Sequence, residues 1–217
     1  MKAKLITTLL LTSVALLAGC DDRAAMAARD AADPMQYGEV SGLNYTPYYI
    51  HTFNLKGRDD NGIKGGGPNI QPARSNDLPS GGGGGKCCAA FPKQWRPGLK
   101  VTVRWIADKK LDGVTYGSWY KADAELPEYG TATYGMWVIF LPGDRVKVMV
   151  KDGNANGHNR VWARPADDDP YVGVGTVDEE LTRQDEERRE KDRQMRIARE
   201  AEVAAEAELR KQKENAQ

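Results

Sequence analysis

The chain has 217 residues, of which 31 are Lys or Arg and 31 are Asp or Glu, so its formal net charge is zero. This length allows one or two domains. The balanced charge argues against a nucleic-acid partner, because binding to a phosphate backbone needs a basic surface.

Residues 1–19 have the pattern of a signal peptide. Lys2 and Lys4 precede an apolar run at residues 5–17, which is shorter than the roughly 20 residues that a membrane-spanning helix needs. The run ends in Leu-Ala-Gly before Cys20, an order that resembles a lipobox, in which the signal is cut before a lipidated cysteine. The alternative is an ordinary secretory signal with a chance cysteine. The pattern predicts a periplasmic protein that is anchored to a membrane by acyl chains on Cys20.

Residues 20–37 are predicted to form a tether between this anchor and the folded domain. Asp21 follows the predicted lipidation site and resembles the signal that retains lipoproteins in the inner membrane of enteric-type bacteria. Where that sorting rule applies, the sequence favours the inner membrane.

Residues 38–176 are predicted to form a β-rich domain, because β-forming residues alternate with turn signals. A first strand region is expected at residues 38–53, and a Gly-rich loop at about 57–86. Cys87 and Cys88 follow this loop. In an oxidising compartment they could form a disulfide, remain buried thiols or pair between molecules. Their spacing is not the C-x-x-C of redox-active sites, so a structural disulfide or structural thiols are favoured.

Two later patterns predict paired strands. Residues 99–105 alternate, which places four apolar side chains on one face: Leu99, Val101, Val103 and Trp105. Residues 136–141 and 145–150 predict a hairpin around the Pro-Gly-Asp turn between them. A solvated turn is expected at residues 167–169. Short strands between turns indicate an all-β fold, either a small sandwich or an open barrel.

Residues 177–217 predict a charged, solvated C-terminal α-helix. Acidic residues precede basic ones by four positions, as Asp185 precedes Arg189, and such pairs stabilise a helix. The apolar residues do not repeat as heptads, so a coiled coil is the less favoured alternative.

No catalytic residue, metal ligand or cofactor is predicted, and we do not expect an enzyme. Residues 81–86 lack the first Gly and the Ser or Thr of a phosphate-binding loop. Residues 152–157 match the first half of a calcium loop, but Ala163 occupies the position of its essential Glu. The only two histidines, His51 and His158, have no Cys or carboxylate at ligand spacing.

Tryptophans are the candidate anchors for a partner. Core packing is favoured for Trp105 and Trp137, which lie in the most apolar predicted strands. Trp95 and Arg96 lie beside a turn, so we predict that these two residues contact a partner.

The segment from Cys87 to Trp105 resembles the bacterial lipoproteins of domain of unknown function 3304. It combines the cysteine pair, Pro92, the Trp-Arg-Pro-Gly-Leu turn at residues 95–99 and the alternating strand. The glycines at 65–67, Pro-Glu-Tyr at 127–129 and Phe-Leu-Pro-Gly at 140–143 are also similar to that family. The resemblance covers about residues 38–150.

This resemblance implies a function, because genes of this family often lie beside type VI secretion genes and lipase-type effectors. It implies a periplasmic immunity lipoprotein that binds and blocks a phospholipase effector. Two alternatives remain: a structural or assembly lipoprotein of the secretion or envelope machinery, whose C-terminal helix docks a partner, and an enzyme or small-ligand carrier.

Overall fold

The computed structural model describes residues 32–215, except 82–84, 111, 113–114, 131–132 and 153–162. The described residues form eleven strands and one long C-terminal helix, Glu179–Asn215. The strands are β1 Met35–Asn44, β2 Tyr49–Gly57, β3 Lys64–Gly67, β4 Ser80–Gly81, β5 Lys86–Pro92, β6 Lys100–Asp108, β7 Ser118–Glu125, β8 Thr133–Leu141, β9 Arg145–Asp152, β10 Val172–Val174 and β11 Thr176–Val177. The predicted signal peptide, Cys20, Asp21 and most of the predicted tether lie outside the described residues.

The strands form one sheet that is nearly closed into a barrel. Ten of them follow one another in the order β10-β9-β8-β1-β5-β3-β2-β6-β7-β11, and β4 pairs separately with β1. Paired strands run antiparallel, except that β1 and β8 run parallel, with Val40 opposite Met136. The fold is therefore mostly β with one C-terminal helix, as the sequence predicted. Of the two predicted forms, a small sandwich and an open barrel, it has the barrel form.

One short segment joins the two ends of the sheet. Residues 172–174 pair with β9, whereas residues 176–177 pair with β7 on the other side of the opening. Gly175, between them, donates its N–H to the carbonyl oxygen of Asp144 at 2.8 Å, and a Cβ on Gly175 would crowd the ring of Trp105. We call residues 172–177 the closing segment. It can lie directly on the barrel because Gly175, between its two strands, has no side chain.

The main hydrophobic core fills the barrel interior. The four side chains that were predicted to share a face of β6 are all buried in this core, which confirms the alternation. Trp105 stacks on Tyr120, with ring centroids 5.6 Å apart, and lies 5.7 Å from Phe140. The β8–β9 hairpin predicted from residues 136–150 is also confirmed.

A second hydrophobic cluster lies on the opposite face of β1, β8 and β9, and it includes Trp137. The segment after residue 166 lies against this outer face. Lys147 on β9 forms an ion pair with Asp169 at 2.7 Å, and Val172 packs on the cluster. The solvated turn predicted at residues 167–169 is therefore wrong for Asp169, whose side chain is only 11% exposed.

Other boundaries differ from those predicted. The first strand region is two strands, β1 and β2, separated by a turn that contains Pro47. The predicted Gly-rich loop contains β3 and β4. β1 begins at Met35, inside the predicted tether.

Candidate functional site

Trp95, predicted to contact a partner, is half-buried and packs against the main core. Its indole N–H donates to the carbonyl oxygen of Leu126 at 3.0 Å. A Trp whose polar atom is satisfied inside its own chain has a packing role. Trp95 therefore contributes to the packing of the barrel, and its contact with a partner stays a prediction.

Arg96, predicted beside it, is exposed and lines an open cleft of about 540 Å³. Met35, Asn61 and Lys93 are among the other residues that line this cleft. The Lys93 N–H donates to the carbonyl oxygen of Pro34 at 2.8 Å, so a hydrogen bond joins the end of β5 to the residue before β1 at this cleft. Arg96 therefore lies where the chain enters the barrel.

Cys87 and Cys88 form a disulfide across a cis peptide bond, and both residues are exposed. Of the three states left open by the sequence, the structure shows the disulfide between neighbours rather than buried thiols. Glu39 lies opposite Cys87 and Gly38 lies opposite Ala89, so Cys88 is the extra residue of a β-bulge.

Two exposed tyrosines lie on β1 and β8, the two strands that follow β5 in the sheet. Tyr37 on β1 is 56% exposed and Tyr134 on β8 is 66% exposed. Each is followed by a glycine, and a Cβ on Gly38 would lie 3.0 Å from the Cα of Gly135. The strands β8, β1 and β5 are neighbours in the sheet. We call the exposed group formed by Tyr37, Glu39, Cys87, Cys88 and Tyr134 the tyrosine surface.

The Tyr37 hydroxyl donates to Asp33 Oδ2 at 3.2 Å. This hydrogen bond and the negative charge of Asp33 raise the pKa of Tyr37. The hydroxyl therefore stays neutral, and because it donates its one proton to Asp33, it is left to accept a hydrogen bond from another molecule. Sequence reasoning missed the tyrosine surface, because the chain contains four Tyr-Gly pairs and this pattern does not distinguish Tyr37 and Tyr134 from the other two.

The C-terminal helix is attached to β6 and β7 at its first residues. The Asp178 N–H donates to the Trp119 carbonyl oxygen at 2.8 Å, and the Trp119 N–H donates to Thr182 Oγ1 at 2.9 Å. The Asp178 carboxylate accepts a hydrogen bond from Arg104 Nε at 3.1 Å and pairs with Lys121 at 3.5 Å. Burial acts to raise the pKa of Asp178, but these cations and a backbone N–H outweigh it, so the pKa is lowered.

A second attachment involves aromatic rings. The Arg189 guanidinium lies 3.0 Å from the ring centroid of Tyr116, whose ring lies 4.1 Å from that of His51. Asp185, which is buried, pairs with Arg189 at 2.8 Å. The Nε2 atom of His51 is buried without a hydrogen-bond partner. Burial lowers the pKa of His51, and Arg189 adds to this although Asp108 opposes it.

These contacts correct the picture of a wholly solvated helix. Its first three turns are docked through Asp178, Thr182, Asp185 and Arg189, whereas residues 190–215 are exposed throughout. Among the acidic and basic residues that were predicted to pair at a spacing of four, Asp185 and Arg189 form an ion pair.

Within the described residues, no group of three or more His, Cys, Asp and Glu side chains could hold a metal ion. Asp152 accepts a hydrogen bond from the Gly130 N–H at 2.5 Å, while the remainder of the calcium-like stretch and His158 lie outside the described residues. The described part of the chain also contains no helix with the length and apolar character needed to cross a membrane.

Most of the barrel matches a known protein family. A family model described as a protein of unknown function, DUF3304, matches residues 43–148. This region of the chain belongs to the DUF3304 family. No curated protein and no solved structure matches the chain.

Inside the DUF3304 region, the glycines at 65–67 have a packing role. A Cβ on Gly65 would lie 2.9 Å from Val40, and one on Gly66 would lie 3.0 Å from the carbonyl oxygen of Phe53. A Cβ on Gly67 would overlap the Phe53 ring. β3 therefore consists largely of glycine because Val40 and Phe53 leave no space for side chains on this strand.

Proposed function

We propose that this chain is a lipid-anchored periplasmic protein that acts by binding another protein, without catalysis of its own. We further propose that its partner is a phospholipase effector of type VI secretion, which it neutralises. The tyrosine surface is the observation that carries the binding role. Tyrosines that are more than half exposed on a rigid sheet are typical of protein interfaces, because they bury a large area and lose little side-chain entropy.

The neighbouring cleft extends this surface. Arg96 and Lys93 line the cleft at the start of β1, and Tyr37 is two residues further along the same strand. Arginine and tyrosine are the side chains that most often dominate binding energy at interfaces. The site therefore has an aromatic part on the barrel wall and a charged part at its end, where Arg96 and Lys93 line the cleft together with Asp33 and Asp60.

The position of this end relative to the predicted anchor agrees with a membrane-active partner. Ala32 is twelve positions after Cys20 in the sequence, so the tether reaches at most about 40 Å when fully extended. Acyl chains on Cys20 would keep the site near the bilayer, where a phospholipase acts.

The test is a survival assay in a strain whose periplasm receives a phospholipase effector encoded beside genes of this family. We expect survival only when the full chain is co-expressed. The double variant Tyr37→Ala/Tyr134→Ala is expected to weaken effector binding by about 100-fold and to abolish survival. Binding is measured by capture of the effector on the tagged chain.

Leu78→Ala is the matched control, because Leu78 is 52% exposed in the turn between β3 and β4 and does not belong to the tyrosine surface. It should leave survival and capture unchanged. Failure of the unaltered chain to protect against any such effector would reject the immunity role. Full protection by the folded double variant would reject the tyrosine surface as its site.

The assembly role remains a second candidate because residues 190–215 form a long exposed helix. At 1.5 Å per residue this part extends about 39 Å. A chain that ends after Arg193 keeps every helix contact with the barrel described above. Protection by this shortened chain favours immunity through the barrel, whereas an envelope defect without loss of effector binding favours assembly through the helix.

A further inference from the structure

The charges of the exposed part of the helix are segregated into blocks. Residues 191–199 contain four basic residues and one acidic residue, so their net charge is 4 − 1 = +3. Residues 200–208 contain four acidic residues and no basic residue, so their net charge is −4. The basic residues are Lys191, Arg193, Arg196 and Arg199, and the acidic ones of the second block are Glu200, Glu202, Glu206 and Glu208.

This segregation leaves charges unpaired within the helix. A solvated single helix is stabilised when acidic and basic residues alternate at intervals of three or four. Such ion pairs are frequent before residue 194, but in the described chain only Arg196 with Glu200, at 3.9 Å, forms between residues 194 and 207. The side chains of Arg199, Glu202 and Glu206 make no ion pair with the described residues. The blocks therefore offer their charges to another molecule.

We propose that residues 190–211 pair with the same segment of a second copy of this chain, in antiparallel orientation. The twofold axis lies close to residue 200, so that the numbers of facing residues add to about 400. In this register Lys191, seven residues before Ala198 and on the same side of the helix, lies beside Glu208 of the second copy, and symmetry repeats this pair. The basic block of each helix faces the acidic block of the other. A parallel pair would place like charges together.

The small residues of this segment define the facing side. Ala198, Ala201 and Ala205 follow at intervals of three and four, so they share one side of the helix. Small side chains allow two helix axes to approach closely. In the same register Ala198 faces Ala201 of the second copy. The inference concerns self-association and does not depend on the effector proposed above.

Cross-linking of the full chain in cells tests the register. One copy carries Ala198→Cys, and a second copy with a different tag carries Ala201→Cys. We expect an oxidant to link these two copies. Ala207 is on the opposite side of the helix from Ala198, and two copies of it would be about 20 Å apart along the axis. Ala207→Cys is therefore the matched control and should not cross-link, nor should the chain with only its native cysteines.

Charge reversal in the full chain tests the pairing independently. An acidic variant carries Lys191→Glu, and a basic variant carries Glu208→Lys. Each alone should self-associate about tenfold more weakly than the unaltered chain in sedimentation, because each then opposes like charges. A mixture of the two should associate again, and added salt should weaken it. Lys and Glu have similar helix propensity, so helicity should be unchanged.

The proposal is overturned if the unaltered chain is monomeric at every concentration and yields no Ala198–Ala201 link. It is equally overturned if the acidic or the basic variant alone self-associates as strongly as the unaltered chain, or if Ala207→Cys is the pair that cross-links. Capture of an unrelated protein by a monomeric chain would assign the segment to a different partner.

Discussion

Among single residues, the ion pair of Lys147 with Asp169 has the clearest energetic consequence. The two side chains are only 4% and 11% exposed, and their charged atoms are 2.7 Å apart. Asp169→Ala would leave a buried ammonium group without its counter-charge. We expect the free energy of unfolding to fall by about 3–5 kcal/mol, measured by denaturant titration.

The neighbouring Asp168 provides a control, because it is exposed. Asp168→Ala should change the unfolding free energy by less than about 0.5 kcal/mol. Equal effects of the two substitutions would contradict the buried pair. The sequence could not distinguish these aspartates, because three identical residues before a proline give no indication of which one faces β9.

His51 gives the fold a specific pH dependence. Its pKa lies below the usual 6.5, chiefly because of burial, so the folded state binds fewer protons than the unfolded state. Its contribution to stability is complete above pH 6.5 and is lost as the pH falls towards the lowered pKa. His51→Phe keeps a ring beside Tyr116 and removes the titration.

We therefore expect the unfolding free energy of the unaltered chain to fall between pH 7 and pH 5, and His51→Phe to reduce that slope. His158→Gln removes the only other histidine, so comparison of the two variants separates the contributions of the two residues to the slope. A steeper or equal slope for His51→Phe would show that another group titrates.

At the scale of elements, β3 shows how a glycine run can be part of the core. Gly67→Ala would place a methyl group in the ring of Phe53, which is 1% exposed. We expect a loss of roughly 1–3 kcal/mol in the unfolding free energy. Thermal or denaturant unfolding measures this loss.

A second substitution tests the stated cause. Phe53→Leu removes the ring atoms that the new methyl group meets, so the double variant should be more stable than the sum of the two single effects predicts. Strict additivity would mean that Gly67 matters for a reason other than the Phe53 ring.

Elements with a strong local pattern were predictable from the sequence. Alternation at residues 99–105 located β6 and its buried face, and a Pro-Gly-Asp turn located the β8–β9 hairpin. β3 was predicted as a loop because glycine is a turn signal, whereas here the glycines fit beneath Phe53. The tyrosine surface depends on the pairing of β8, β1 and β5, which no local pattern specifies.

For the whole molecule, the closing segment decides whether the barrel can form. A chain that ends after Pro170 lacks β10 and β11 and leaves β7 and β9 as open edges. We expect its melting temperature to fall by roughly 10 °C or more, or its cooperative transition to disappear. Differential scanning calorimetry measures both.

A chain that ends after Arg193 retains the closing segment and the docked turns of the helix. Its melting temperature should stay within about 2 °C of that of the full chain. A large loss of stability in this variant would mean that the exposed part of the helix stabilises the barrel. Equal melting temperatures for all three chains would show that closure contributes nothing.

The pairing of β1 with β8 also has a kinetic consequence. Val40 pairs with Met136, and the sheet is completed only by residues 172–177. Contacts between residues so far apart require large loops to close before any stabilisation is gained, and domains with such contacts typically fold in milliseconds to seconds. A chain that crosses a membrane with its N-terminus first would present β1 long before β8 arrives. Its slow step would thus be the return of the chain to its first strand.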